Sequence, residues 1–292
     1  MMSRFLEMFL VAAVAVWCAS ASAADDGVLA DNSRIVSIGG SLTEIIYALG
    51  EQDSLVARDS TSVYPPAVFE LPDVGYIRQL SPEGVLSVDP SGILALHGAG
   101  PREAVDVLKK ASVPYVEIPD DFDHAGILAK IRAVGQALGV EDKAERLAAE
   151  VDSSLSAAEK QTASIADRKR VLFILSMQDG KVMASGTETA ANGIIALAGA
   201  VNAIDGYTGY KQVSDEAIIT AAPDVILVMD RAGSLAISDE DLFAHPGIAP
   251  TPAGMARQVV RMDGSYLLGF GPRTAEAVHD LAVALYGNQV GD

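Results

Sequence analysis

The chain has 292 residues and is acidic, with Lys+Arg 21 against Asp+Glu 39 and a formal net charge of −18. A surface of that sign repels nucleic-acid phosphates and anionic membranes, so neither is expected as a partner. With 50% hydrophobic and 21% charged residues, the chain is too apolar for disorder and long enough for one large or two ordinary domains, and its one Cys excludes a disulfide framework or a multi-thiolate zinc site.

The first 23 residues carry one early Arg4, an apolar run from Phe9 to Trp17, and the small-residue stretch Ala19-Ser20-Ala21-Ser22-Ala23. This is the pattern of a secretory signal peptide cleaved after Ala23, with an apolar run too short to cross a bilayer comfortably. A lipoprotein signal would acylate Cys18, but bulky Trp17 stands where such a signal wants a small residue. Cleavage removes Arg4 and Glu7 together and leaves the net charge unchanged. No later segment is apolar for long enough to span a membrane, so an exported protein with no direct membrane insertion is expected.

The segment Arg34 to Gly40 reads as a short buried strand ending in glycine, and Ser41 to Gly50 as an amphipathic helix, with Ser41 and Glu44 spaced as a capping box. Strand-like runs follow at Leu55-Val56-Ala57, Gly92 to Leu96 and Tyr115 to Ile118, with a helix over Pro101 to Ala111. Alternation of this kind predicts a mainly parallel sheet covered on both faces. From Asp123 to Asp167 strand formers nearly vanish, which predicts a long helix with Gly139 as the point where it could be interrupted. The alternation restarts at Val171 to Leu175, continues with a helix near Thr189 to Leu197 and a strand at Val225 to Met229, and ends in a helix over Thr274 to Tyr286. The reading is therefore α/β, two Rossmann-like lobes with mainly parallel sheets joined by one long α-helix. Its segments are 1–23 signal peptide, 24–122 first lobe, 123–167 linking helix and 168–292 second lobe. One continuous helix resists hinge bending, so lobe closure on a ligand should be small.

The halves resemble each other at one place. Gln79-Leu80-Ser81-Pro82-Glu83 leading to Gly92-Ile93-Leu94 parallels Gln212-Val213-Ser214-Asp215-Glu216 leading to Val225-Ile226-Leu227, at an offset of 133 residues. Ser81 and Ser214 are expected as N-caps. Glu83 and Glu216 either complement the dipoles of their own helices or form a paired acidic docking surface.

Nucleophilic catalysis has little support: there is no G-x-S-x-G elbow, and the mature chain would keep no cysteine. The glycines of Gly39-Gly40-Ser41 complete neither a dinucleotide fingerprint nor a P-loop. His97, His124, His245 and His279 lack metal-ligand spacing and read singly as ordinary polar residues. The informative stretch is Val74-Gly75-Tyr76-Ile77-Arg78-Gln79-Leu80-Ser81, on a connection that should emerge at a sheet edge where open α/β proteins bind ligands. Tyr76 there either packs over its loop with Arg78 in solvent, or presents a hard phenolate oxygen suited to ferric iron beside a cation. Tyr207 and Tyr210 occupy the corresponding place before Ser214, and Arg231 follows the strand at Val225 to Met229. Facing lobes would bring these groups to one cleft, suited to a large flat ligand with carboxylates.

The segments Arg34 to Glu44, Tyr64-Pro65-Pro66-Ala67, Val74 to Ser81 and Gly269-Phe270-Gly271-Pro272-Arg273 resemble the periplasmic haem-binding proteins of bacterial haem (hemin) ABC importers, over essentially the whole mature chain. That resemblance implies the helical-linker fold of class III periplasmic binding proteins, a monomer without enzymatic activity, and haem carried in the cleft for iron acquisition. It implies Tyr76 as axial ligand of the haem iron, and Arg78 and Arg231 as basic groups near the haem. It implies Glu83 and Glu216 as the carboxylates that dock the lobes on an inner-membrane permease with its ATPase. Some members also use a second-lobe histidine, and the strand ending Leu175-Ser176-Met177-Gln178-Asp179-Gly180 has none here. The same scaffold serving cobalamin or a ferric siderophore is the alternative, and an exported α/β hydrolase the alternative from another class.

Overall fold

The computed structural model describes residues 27–230 and 236–290. The expected signal peptide and Arg231 lie outside the described residues. The first lobe is built from β1 (Ile35–Ile38), α1 (Gly40–Ala48), β2 (Leu55–Arg58), α2 (Pro82–Leu86), β3 (Gly92–Leu96), α3 (Arg102–Lys110) and β4 (Tyr115–Ile118). Its four strands are all parallel, in the order β2-β1-β3-β4. Every residue of β1 and β3 is buried, as central strands covered on both faces require, which is why they read as unbroken apolar runs.

The segment expected as one long helix is two, α4 (His124–Leu138) and α5 (Glu141–Thr162), which fold back and pack on each other. Asp123 caps α4 by accepting the Gly126 N–H at 2.7 Å. Gly139 ends it in the left-handed region at φ 67, a conformation that costs glycine nothing and reverses the chain. A Cβ at Gly135 would fall 2.2 Å from the Ala144 Cβ, so glycine also lets the two helices come this close. The helix α4 stays with the first lobe, against α1 and β4, while the 22 residues of α5 carry the chain onward over roughly 33 Å.

The second lobe contains β5 (Arg170–Gln178), β6 (Lys181–Ser185), α6 (Ala190–Leu197), β7 (Val201–Asn202), β8 (Tyr210–Val213), α7 (Asp215–Ala221), β9 (Val225–Asp230), α8 (Asp239–Ala244), α9 (Pro252–Ala256), β10 (Val259–Asp263), α10 (Gly264–Leu268) and α11 (Thr274–Tyr286). The strand order is β10-β9-β5-β6-β8, with β7 paired to β5. β10, β9, β5 and β7 run parallel, whereas β6 is antiparallel to both β5 and β8. The hairpin between β5 and β6 turns at Asp179-Gly180, both at positive φ, a dipeptide suited to a tight β-turn.

At α1 the structure corrects the expected capping box. The helix begins one residue early with Gly39 as N-cap and no side-chain cap, while Ser41 and Glu44 are buried and turned toward the second lobe. The connection between α10 and α11 meets them there. Arg273 donates from Nε to Glu44 Oε2 at 2.9 Å and from Nη2 to Glu44 Oε1 at 2.6 Å. Its guanidinium also lies 3.7 Å from the ring centroid of Tyr64 and 5.3 Å from that of Tyr266. Beside this pair the wholly buried Lys130 of α4 donates to Asp120, to the Phe270 carbonyl at 3.0 Å and to Ser41 Oγ at 3.4 Å. Phe270 sets its ring edge-on to Phe122, centroids 5.3 Å apart. Side chains of α1, α4, α5, α6 and α11 then form one apolar cluster that runs through both lobes.

Removing Arg273 would strand the Glu44 carboxylate, which is 9% exposed. Arg273→Ala is therefore expected to lower unfolding stability by about 3 kcal/mol, whereas Arg102→Ala, in an exposed pair with Asp106, changes it by no more than about 0.5 kcal/mol. Urea denaturation of the two variants beside the wild type measures the difference.

Candidate functional site

The carboxyl ends of β1, β2 and β3 carry the loops that form one edge of the first lobe. Asp59, wholly buried just after β2, organises them. Its Oδ1 accepts the Gly39 N–H at 3.0 Å and the Ser62 hydroxyl at 2.9 Å, and its Oδ2 accepts the Thr61 N–H at 3.0 Å and the Thr61 hydroxyl at 2.7 Å. A Cβ at Gly40 would stand 2.7 Å from the Thr61 carbonyl, so only glycine lets these two loops pack at this distance.

The segment bearing Tyr76 crosses this edge. Ser60 N–H donates to Gly75 O at 2.9 Å on the β2 side, and Gly100 N–H donates to Ile77 O at 2.8 Å on the β3 side. Gln79 N–H closes the turn on Tyr76 O at 2.7 Å, and Gly75 takes φ 103, a conformation disfavoured for a residue with a Cβ. Val74 and Leu80 point into the core while Tyr76, 44% exposed, and Arg78 point out. The segment is irregular, and Val74, Ile77 and Leu80 take its inward positions, which leaves Tyr76 outward rather than packed over its own loop.

From the second lobe, Tyr210 opens β8 opposite Ser185 of β6 and tilts against Phe173, centroids 6.2 Å apart. Burial pushes its phenol up, and the Ala191 amide, Thr189 and the positive charge of Arg78 pull it back. The positive charge of first-lobe Arg78 is thus felt at second-lobe Tyr210. Tyr207 is committed differently. Its hydroxyl donates to Ala184 O at 3.0 Å, and its ring lies so close over Gly186 that a Cβ there would be 2.5 Å from a ring carbon. Lys211 Nζ stands 5.2 Å from the same ring, and burial pushes this phenol up as well. The Tyr207 hydroxyl is thus tied to the β6–β8 scaffold while its ring stays half-exposed. The strand β9 ends at Asp230, so Arg231 itself lies just outside the described residues.

Glu83 and Glu216 occupy equivalent places. Each is the second residue of a short helix, α2 or α7, and each is exposed. Ser81 caps α2 by accepting the Gly84 N–H at 3.4 Å, and Ser214 caps α7 by accepting the Ala217 N–H at 3.2 Å. The Glu216 carboxyl is held below its ordinary range by its own amide and by Ser214. The following strands, β3 and β9, each lie between two parallel neighbours.

Among the described residues no group of three or more His, Cys, Asp and Glu is placed to hold a metal ion, and no helix is long and apolar enough to cross a membrane. Two grooves of about 470 Å³ lie elsewhere, one lined by Phe122, Glu159, Arg168 and Asn192, the other by Gln161, Tyr266 and His279. Neither includes Tyr76, Arg78 or Tyr210. Sequence reasoning missed Asp59, Lys130, Glu44 and Arg273 as organisers of the edge and the junction. For Arg273 a signal existed in Gly269-Phe270-Gly271-Pro272-Arg273, where Phe270 adopts φ 50 and Gly271 approaches Ser41. Asp59→Asn loses acceptor capacity at a fully used carboxylate and is expected to cost about 1–3 kcal/mol, read as a lowered denaturation midpoint.

Comparison with known proteins agrees with this architecture. Residues 35–266 match the family described as Periplasmic binding protein. The periplasmic heme-binding protein RhuT from Roseiflexus sp. RS-1, in apo form, is similar at 40% identity and a TM-score of 0.83, over 89% of this chain and 100% of that one. The periplasmic heme-binding protein BhuT, in complex with two hemes, is similar at 40% identity and a TM-score of 0.81, over 86% and 97%. In sequence, the uncharacterized ABC transporter substrate-binding lipoprotein YvrC of Bacillus subtilis (strain 168) is 29% identical over 269 residues, 91% of this chain and 84% of the relative. With most of its length inside the family match and two solved relatives at 40% identity, this chain belongs to the periplasmic binding protein family.

Proposed function

We propose that this protein is an exported carrier that binds haem between its two lobes and delivers it to an inner-membrane ABC permease and its ATPase. The observation that carries the reading is Tyr76: an outward phenol on a segment hydrogen-bonded to the loops after both β2 and β3, two residues from an outward Arg78. A phenolate oxygen is a hard donor for ferric iron, the Tyr210 ring offers an aromatic wall, and Arg78 is suited to a haem carboxylate. Arg231 is a second candidate for that pairing. The names of RhuT and BhuT, both heme-binding, support haem over cobalamin or a siderophore.

Purified wild-type protein titrated with hemin is expected to develop a Soret band with a tyrosinate-ligated spectrum. Tyr76→Ala should weaken binding by more than the roughly 10–100-fold that loss of a supporting outer-shell group costs, and should change the spectrum. An unchanged spectrum and affinity would reject Tyr76 as the ligand.

The equivalent placement of Glu83 and Glu216 supports a docking role on a permease with two similar halves. The double variant Glu83→Lys, Glu216→Lys is expected to bind hemin as the wild type does and to fail in uptake by cells carrying the cognate transporter. Normal import by that variant would reject the role.

A further inference from the structure

The junction between the lobes gathers several polar side chains, and nearly all of them are engaged. Arg273 donates from Nε and Nη2 to Glu44, and Lys130 meets Asp120, Phe270 O and Ser41 Oγ. Tyr266, whose ring centroid is 5.3 Å from the Arg273 guanidinium, donates its hydroxyl to Asp280 Oδ2 at 3.0 Å. Tyr64 differs. It is 42% exposed, its ring carries the Arg273 guanidinium at 3.7 Å, and its hydroxyl bonds to no described residue.

The place of this ring follows from its loop. Asp59 holds the loop after β2 against Gly39, and Ser60 N–H donates to Gly75 O beside Tyr76. Tyr64 comes four residues after Ser60, a stretch that reaches at most about 14 Å, so the ring and the Tyr76 segment belong to one edge. Arg273, which covers the ring, comes from the second lobe at the start of α11. Tyr64 therefore stands where the ligand edge of the first lobe meets the second lobe, at the base of the cleft.

A ring held in this way has little freedom left. Arg273 packs on it, Pro65 and Pro66 stiffen the chain that follows, and Asp59 pins the loop that precedes it. The hydroxyl is a donor in place before a ligand arrives. The neighbouring cations are poorly suited to the same part, because Arg273 faces Glu44 and Lys130 faces Asp120. At this end of the cleft the phenol O–H is the donor that remains.

We propose that the Tyr64 hydroxyl donates a hydrogen bond to a carboxylate of the bound cargo and orients that cargo against the lobe junction; this rests on haem being the cargo. Haem has two carboxylates on flexible arms, so Arg78 is suited to one and Tyr64 to the other. The iron stays with Tyr76. If the ring served only to cover Arg273, its hydroxyl would have no effect on binding.

The test separates the hydroxyl from the ring in full mature protein. Tyr64→Phe keeps the packing on Arg273 and removes only the donor, so urea denaturation should give wild-type stability. Its hemin affinity should fall about tenfold, as loss of a bond to a charged group does, with the tyrosinate-ligated spectrum unchanged. Hemin dimethyl ester keeps the iron and the ring but has no ionised carboxylate, and a neutral acceptor makes the weaker bond. The two proteins should therefore bind the ester within about threefold of each other. A wild-type Soret band beside a Tyr64→Phe variant of unchanged hemin affinity would overturn this assignment alone, and so would an equal loss for hemin and for its ester. Wild-type protein that gives no Soret band with hemin would overturn the haem reading and the Tyr64 assignment together.

Discussion

The bidentate pair between Arg273 of the second lobe and Glu44 of the first fixes where the edges of the two sheets stand relative to each other. Desolvating two charges costs several kcal/mol, and their attraction at short range offsets most of that, so the pair is a weak argument for net stability. It is a strong argument for geometry, because moving either lobe leaves a carboxylate and a guanidinium without their partners. Lys130 adds a second point of the same kind. Burial pulls its ammonium down, Asp120 opposes this, and the three acceptors Asp120, Phe270 O and Ser41 Oγ match the three protons of the charged form. Two of these acceptors belong to the first lobe and one to the second, so the ammonium is fully satisfied only when the lobes are docked.

A fixed junction makes the ligand edge a property of the folded protein rather than something assembled on binding. The Asp59 cluster holds the loops after β1 and β2, and backbone hydrogen bonds tie the Tyr76 segment to the loops on either side. Groups already in place lose little freedom when a ligand arrives. The overall charge of −18 works against an anionic ligand at a distance, but fields between exposed charges fade within about 8 Å at physiological salt. Local cations such as Arg78 then outweigh the distant carboxylates. An acidic carrier can in this way hold a ligand with carboxylates while staying clear of the anionic membrane surface.

The strands β1 to β5 and β9 and most helices were legible because their signals are local, whereas the short strands β6, β7, β8 and β10 were not read from the sequence. β1, β3 and β9 are apolar runs bounded by turn residues, and Ser81, Ser214 and Thr189 cap the helices they precede. The linker was read as one helix because composition records propensity and not direction. The reversal depends on one glycine at φ 67 and on the fit of Gly135 against Ala144, both matters of packing. Ser41 and Glu44 imitated a capping box because a buried interlobe pair uses the same residue types at the same spacing. At the edge, the turn that carries Tyr76 and Arg78 was legible while the direction of their side chains was left open, and Tyr207 differs from Tyr210 in having its hydroxyl bonded to Ala184 O, a non-local contact.

The two halves agree and differ in an instructive way. Ser81 with Glu83 and Ser214 with Glu216 repeat at one offset, on helices that present a carboxylate outward from each lobe. The loops facing inward do not repeat: the first lobe has an irregular crossing segment with Tyr76 and Arg78, and the second has the ordered strand β8 with Tyr210. A partner that itself has two similar halves favours matching contacts on each lobe, and symmetric outward positions suit it. A ligand whose metal needs a donor from one side gains nothing from symmetry. If Tyr76 is that donor, the first lobe supplies it with its loop, and the second is free to give the same positions to regular strand structure.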